Sequence, residues 1–184
     1  MVTLAREHVA SSGAALEPRL VYADVLTERG DPRGLFITAQ CTGNQEAANE
    51  LLARYRSHFL HPLPATANVV FRDGFIDTWT ASASEFRSWG RRLLRNNPLR
   101  RLVLSEQRPC DVQYVIESTG FEQVQVLELI GPWIGTLRWL ATRESLVNVR
   151  TLGVLRSWLA EEREVLLASK LRASLQSIEF TTFS

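Results

Sequence analysis

Lysine is almost missing from this chain. Of its 21 basic residues only Lys170 is a lysine, and the rest are arginines, which we read as the codon usage of a GC-rich genome rather than as chemistry. Charge of one sign is missing too. The 21 basic residues face 20 acidic ones, a formal net charge of +1, so no general attraction to nucleic acid or to a membrane surface follows. No stretch approaches the roughly 18 uncharged apolar residues that a membrane-spanning helix needs. Residues 1–7 carry Arg6 and Glu7 and no apolar run, so no secretion leader is expected. The two cysteines, Cys41 and Cys110, make no disulfide framework, and a reducing cytoplasm is the expected compartment. No G-x-S-x-G, Walker A or dinucleotide glycine pattern is present. Gly131 and Gly135 bracket Pro132-Trp133-Ile134 with no phosphate-binding lysine, which reads as a turn. Catalysis, a cofactor and a bound metal are therefore not expected.

What is there is a repeat. At 184 residues and 45% hydrophobic content, the chain is long enough for one domain, or for a cap and a repeat array. The pattern L-x-x-L-x-L, apolar at all three positions, recurs as Leu99/Leu102/Leu104, Val124/Leu127/Leu129, Val149/Leu152/Val154 and Leu175/Ile178/Phe180. Ile76/Trp79/Ala81 is a weaker first copy. The copies start at 76, 99, 124, 149 and 175, in steps of 23, 25, 25 and 26 residues. Alternate residues of a strand point to opposite faces, so the second and third apolar positions point together into a core. Between strands the spacing turns helical: Val112, Val115 and Ile116; then Ile134, Leu137, Trp139 and Leu140; then Leu159, Val165, Leu166 and Leu171. One such unit cannot bury its apolar face alone, but stacked units share a core.

The period and pattern resemble the leucine-rich repeat family. The resemblance implies an α/β solenoid of about five units over residues 71–184, with parallel strands on a concave face and helices on a convex one. The family's frequent Asn or Cys, eight residues after the first Leu, is replaced here by Ser84, Gln107, Pro132 and Ser157. The turns after the strands are therefore expected to be irregular and the horseshoe short and flat.

Residues 1–70 do not repeat and read as an α-helical N-terminal cap. Leu4–Val9 suits a short helix and Arg19–Arg29 a longer one, opened by Pro18 and stopped by Gly30. Asp31-Pro32-Arg33-Gly34 is a turn, and Leu35–Cys41 is helical. Asn44 or Gln45 opens a helix with Ala48, Leu51, Leu52, Tyr55 and Phe59 on one face, ended by Pro62 and Pro64. The stretch from Arg19-Leu-Val-Tyr-Ala-Asp24 through Glu28-Arg-Gly-Asp-Pro-Arg-Gly34 to Phe36-Ile37 resembles the bacterial repeat-companion domain. Val25 stands where that family has Trp, and Leu35 where it has Glu. The likeness covers about residues 16–82 and continues through Phe71-Arg-Asp-Gly-Phe75. It implies a bacterial source of myxobacterial or planctomycete type, and no activity.

Four groups of polar residues invite a functional reading. Asp24, Arg29, Asp31 and Arg33 read as an ion-pair and capping network that holds the helical turn. His58 and His61 have metal-compatible spacing but no third ligand nearby, and read as solvated or capping residues. Arg91, Arg92, Arg95, Arg100 and Arg101 read as a solvated helix face, with nucleic-acid binding as the weaker alternative. Glu161, Glu162 and Glu164 read as an acidic patch on the convex side.

The outward positions of the strands are Thr78, Thr80 and Ser82; Arg101, Val103 and Ser105; Val126, Glu128 and Ile130; Thr151, Gly153 and Leu155; Ser177, Glu179 and Thr181. Most are small or polar. Val103, Val126, Ile130 and Leu155 form an apolar group beside Trp133, either a contact site or covered by the following loops. With Arg101 and Glu128 they are the candidate partner-binding residues. The last strand, ending near Phe180-Thr-Thr-Phe183, would leave a bare edge: either another copy or a partner covers it, with self-association as one outcome, or the tail folds back as its own cap. The expected function is non-catalytic protein–protein recognition, as a scaffold or adaptor. The alternative is a regulatory or immunity-type subunit that controls a partner enzyme.

Overall fold

A computed structural model of the chain describes residues 16–105, 108–146, 148–155 and 160–181. The chain divides into two compact units, Met1–Asp77 and Thr78–Ser184. The expected helix over Leu4–Val9 lies outside the described residues.

In the first unit three helices follow one another: α1 (Leu16–Glu28), α2 (Pro32–Cys41) and α3 (Gln45–Leu60). Gly30 ends α1 in the left-handed region at φ 72°, a conformation that costs glycine little. Its N–H donates to the Thr27 carbonyl at 2.9 Å, and the Asp31 N–H to the Leu26 carbonyl at 2.9 Å. Asp31 then caps α2, its carboxylate accepting the Arg33 N–H at 2.9 Å, with Pro32 at the first helical position. Gly34 lets α2 approach α1 closely: a Cβ there would lie 2.4 Å from the Ala23 carbonyl oxygen. Asn44 caps α3 by accepting the Ala47 N–H at 3.1 Å. Two apolar clusters result. One joins Ala23, Leu26, Ile37 and Phe75, and the other joins Phe36, Ala39, Ala48 and Phe59, with Leu51, Leu52 and Tyr55 against it.

The helices are followed by a strand absent from the sequence reading, β1 (Asn68–Arg72), which precedes β2 (Phe75–Ser82). Asp73 and Gly74 join them with φ of 52° and 83°, the two left-handed residues of a tight hairpin turn. A Cβ on Gly74 would stand 2.1 Å from an Ile37 side-chain carbon, so the turn is also pressed onto α2. β2 continues across the boundary between the units.

The second unit alternates strands and helices. After β2 come α4 (Ala83–Asn96), β3 (Arg101–Ser105), α5 (Pro109–Ile116) and a 3₁₀ turn (Phe121–Gln123). Then follow β4 (Val126–Ile130), α6 (Thr136–Ala141), β5 (Thr151–Leu155), α7 (Ala160–Leu167), α8 (Lys170–Ser174) and β6 (Ser177–Thr181). The strands lie in chain order in a six-stranded sheet, and β2 through β6 pair in parallel. The register is constant. Trp79, Leu102, Leu127, Leu152 and Ile178 form one row across the sheet, and Ala81, Leu104, Leu129, Val154 and Phe180 the next. In β2 to β5 these rows are buried; in the edge strand β6 Ile178 and Phe180 are half-buried. Parallel strands need a crossover between them, and the helices supply it.

The expected crossover positions are only partly inward. Val112, Val115, Leu137, Leu140, Leu166 and Leu171 are buried, but Ile134 is 81% exposed and Val165 41%. Ile134 departs because α6 starts two residues later, at Thr136. Leu159 lies outside the described residues. Among those described, no helix is long and apolar enough to cross a membrane.

Candidate partner-binding face

The face of the sheet opposite the buried rows is also ordered in rows. Thr78, Arg101, Val126, Thr151 and Ser177 form the first; Thr80, Val103, Glu128, Gly153 and Glu179 the second; Ser82, Ser105, Ile130, Leu155 and Thr181 the third. The register thus brings together the six predicted contact residues that lie on strands. They are not equally available. Arg101 is exposed; Val126, Glu128, Ile130 and Leu155 are half-buried. Val103, expected as a contact, is only 7% exposed, in a row between Thr80 and Glu128. Arg101 forms an ion pair with Glu128 on the neighbouring strand. Glu128 lies over Gly153, where a Cβ would meet its Cγ at 2.7 Å. The middle of the face is therefore filled by its own charged pair, and the third row carries the accessible apolar groups.

That row runs into the loop after β4. Gly131 and Gly135 both adopt left-handed φ, 59° and 88°. Between them Pro132 is buried, while Trp133 is 53% and Ile134 81% exposed. Three backbone anchors hold this presentation. The Gly131 N–H donates to the Leu155 carbonyl at 2.8 Å, and the Thr136 N–H to the Trp133 carbonyl at 3.0 Å. The Gly135 N–H donates to the Glu162 carboxylate, which also accepts the Leu137 N–H at 3.2 Å. Glu162 is 5% exposed. It therefore leaves the expected acidic patch: its negative charge caps the start of α6, where orphan N–H groups collect. Glu161 and Glu164 are exposed.

Beside Trp133 lies a cleft of about 330 Å³. The β2–α4 junction lines it with Ser82, Ala83, Ser84 and Arg87, and the start of α5 with Arg108, Cys110 and Asp111. The Asp111 carboxylate accepts Arg87 Nη2 at 2.6 Å and the Arg108 N–H at 2.9 Å. Burial alone would raise the Asp111 carboxyl. The Arg108 N–H bond, then the Arg87 bond and the charges of both arginines, outweigh it and hold the carboxyl below its ordinary range. The same bond raises the Arg87 guanidinium. Glu85 accepts the Ser82 N–H at 2.8 Å and its hydroxyl at 2.9 Å, completing the capping box of α4. The Arg108 guanidinium stands 5.0 Å from the centre of the Trp133 ring. The cleft, Arg108 and Ile134 were not foreseen. The one local signal was the pair of glycines that bracket Trp133 and Ile134.

In the first unit the polar cluster divides. Asp24 and Arg29 are exposed. The Arg33 side chain reaches backbone carbonyls: its Nη2 donates to the Phe59 carbonyl at 2.9 Å and its Nη1 to the Gly74 carbonyl at 3.4 Å. Its guanidinium lies over the Phe59 and Phe75 rings at 5.7 and 5.9 Å. His58 meets Asp31 at 3.0 Å, and His61 follows α3 as its C-cap. Burial pushes the Cys41 thiol up, and Asp73 adds to the rise while Arg19 opposes it. No group of three or more His, Cys, Asp or Glu among the described residues is placed to hold a metal ion. Arg91, Arg92, Arg95 and Arg101 are exposed, and Arg100 is half-buried. Compared with protein-family models, with curated proteins and with solved structures, the chain matches none.

Proposed function

We propose that the chain is a non-catalytic protein-recognition module, its repeats forming a short leucine-rich repeat solenoid behind a repeat-companion-type cap in a bacterial cytoplasm. The observation that carries the reading is the third row of the open face. Ile130 and Leu155 lie half-buried in it, and it runs into a loop that holds Trp133 and Ile134 out to solvent. Water-exposed aromatic and aliphatic groups on rigid backbone are where partner binding gains most, because little entropy is lost on contact. The role is that of a scaffold or adaptor, with control of a partner enzyme as the alternative.

The test uses the tagged full chain to isolate a partner from the source lysate. The partner is then made pure and titrated into wild type and into Ile130→Arg/Leu155→Glu by calorimetry, with circular dichroism as the folding control. A folded double variant that loses most of its affinity supports the reading; unchanged affinity overturns it. The exposed arginines of α4 mark the nucleic-acid alternative, which predicts instead an affinity that falls steeply with salt.

A further inference from the structure

We infer that the cleft at the ends of β2 and β3 receives a carboxylate from an acidic peptide segment of the partner, with an apolar residue of that segment over Ile130 and Leu155. The inference rests on the protein-recognition reading and specifies the partner's chemistry. It starts from the charges lining the cleft. Asp111 is satisfied by Arg87 and by the Arg108 backbone. Glu85, next to the lining, is satisfied by Ser82. The Arg108 guanidinium makes no hydrogen bond or salt bridge with another described residue; its charge reaches Asp111 only at longer range, and what it lies over is the face of Trp133. A guanidinium stacked on an indole keeps its N–H edge available, and that planar fork matches a carboxylate. Stacking also holds the side chain in place before binding, so less freedom is lost.

The second step is the polarity of the third row. It reads Ser82, Ser105, Ile130, Leu155 from β2 to β5: hydroxyls at one end, aliphatics at the other. Ser82 lies in the cleft, and Ile130 is two strands away. Strands are about 4.8 Å apart, so the distance is roughly 10 Å, or about three residues of extended peptide. Trp133 lies under the Arg108 guanidinium of the cleft and three residues past Ile130 in the chain. The fitting ligand is thus an extended segment with Asp or Glu about three residues from an aliphatic or aromatic residue. The cleft also contains the exposed Cys110, which reports occupancy.

The test is selection of a random-peptide phage library on the folded full chain. Enrichment of Asp or Glu at that spacing from an apolar residue is expected. A synthetic selected peptide should bind Arg108→Glu about tenfold to a hundredfold more weakly. It should also slow alkylation of Cys110 but not of Cys41. Failure to select peptides, selection without acidic enrichment, or equal binding by Arg108→Glu overturns the inference. So does a single-stranded oligonucleotide that binds through Arg108 where acidic peptides do not. If the purified partner loses Ile130→Arg/Leu155→Glu but binds Arg108→Glu as it binds wild type, this inference falls and the recognition reading stands. If both variants bind like wild type, both fall.

Discussion

Arg33 holds three elements of the first unit together at the residue scale. It ties α2 to the end of α3 and to the β1–β2 turn through two backbone carbonyls, and covers two aromatic rings while doing so. Carbonyls at chain ends and turns need partners when partly buried. Arg33→Ala is therefore expected to cost about 2 kcal/mol in urea unfolding. Arg33→Lys should recover only part of that, since a point charge neither forks nor stacks. Asp111 gives a second prediction at this scale, and its sign follows from its lowered carboxyl. A group that holds its proton less tightly folded than unfolded stabilises the fold above its unfolded-state pKa, near 4, and loses that contribution as pH falls through its folded value. Asp111→Asn should lower stability at pH 7 by about 0.5–1 kcal/mol, the small size reflecting the half-exposed Arg87 partner. The gap between variant and wild type should close as the pH drops below the ordinary carboxylate range. A gap that stays constant down to that pH would remove the ion pair from the account.

Elements show which links can be read locally. Asp31 to Gly34 read as a turn before a helix from Leu35, whereas Asp31 caps α2 and Pro32, Arg33 and Gly34 form its first turn. The stop at Gly30 and the cap at Asn44 were legible because their signals sit beside the helix ends. The start of α6 was not, because its cap is Glu162, 27 residues beyond Gly135. A Glu flanked by Glu161 and Glu164 looks solvated until the fold turns it inward. Ile134 was assigned to a helix for the related reason that apolar spacing alone does not show where a helix begins. The buried cap makes a sharp comparison. Glu162→Gln keeps the shape but removes the charge that faces the α6 terminus. It should cost about 1–2 kcal/mol, whereas Glu161→Gln, on the exposed side, should stay within about 0.5 kcal/mol. Gly135→Ala isolates the backbone term. The nearest atom to the new methyl group is Pro109 Cγ at 3.8 Å, so its cost of about 1 kcal/mol would come from the left-handed φ alone. Thermal unfolding of the three variants side by side measures all of these.

Across the whole second unit, one alternation decides which residues hold the sheet together and which face outward. It was legible in full from the five L-x-x-L-x-L copies, because a period of two is a local property and a constant step fixes each strand against the next. What it did not reveal is how the open face fills itself. Val103 has the outward position but is buried, while Arg101 and Glu128, two residues apart in register, meet across strands. The β1 strand escaped for a different reason: it precedes the first repeat and belongs to a hairpin, not to the period. The alternation itself can be tested along β4, where burial switches at every residue. Leu127→Ala and Leu129→Ala each empty a fully buried site in a close-packed layer, and should each cost about 3 kcal/mol. Glu128→Ala, between them, loses an ion pair with a half-exposed arginine and should cost under about 1 kcal/mol. Val126→Ala and Ile130→Ala, on half-buried sites, should fall between. The expected outcome is a sawtooth in unfolding free energy with a period of two residues. A smooth profile would mean that both faces of the sheet are packed alike, and the third row would then have no free surface to offer a partner.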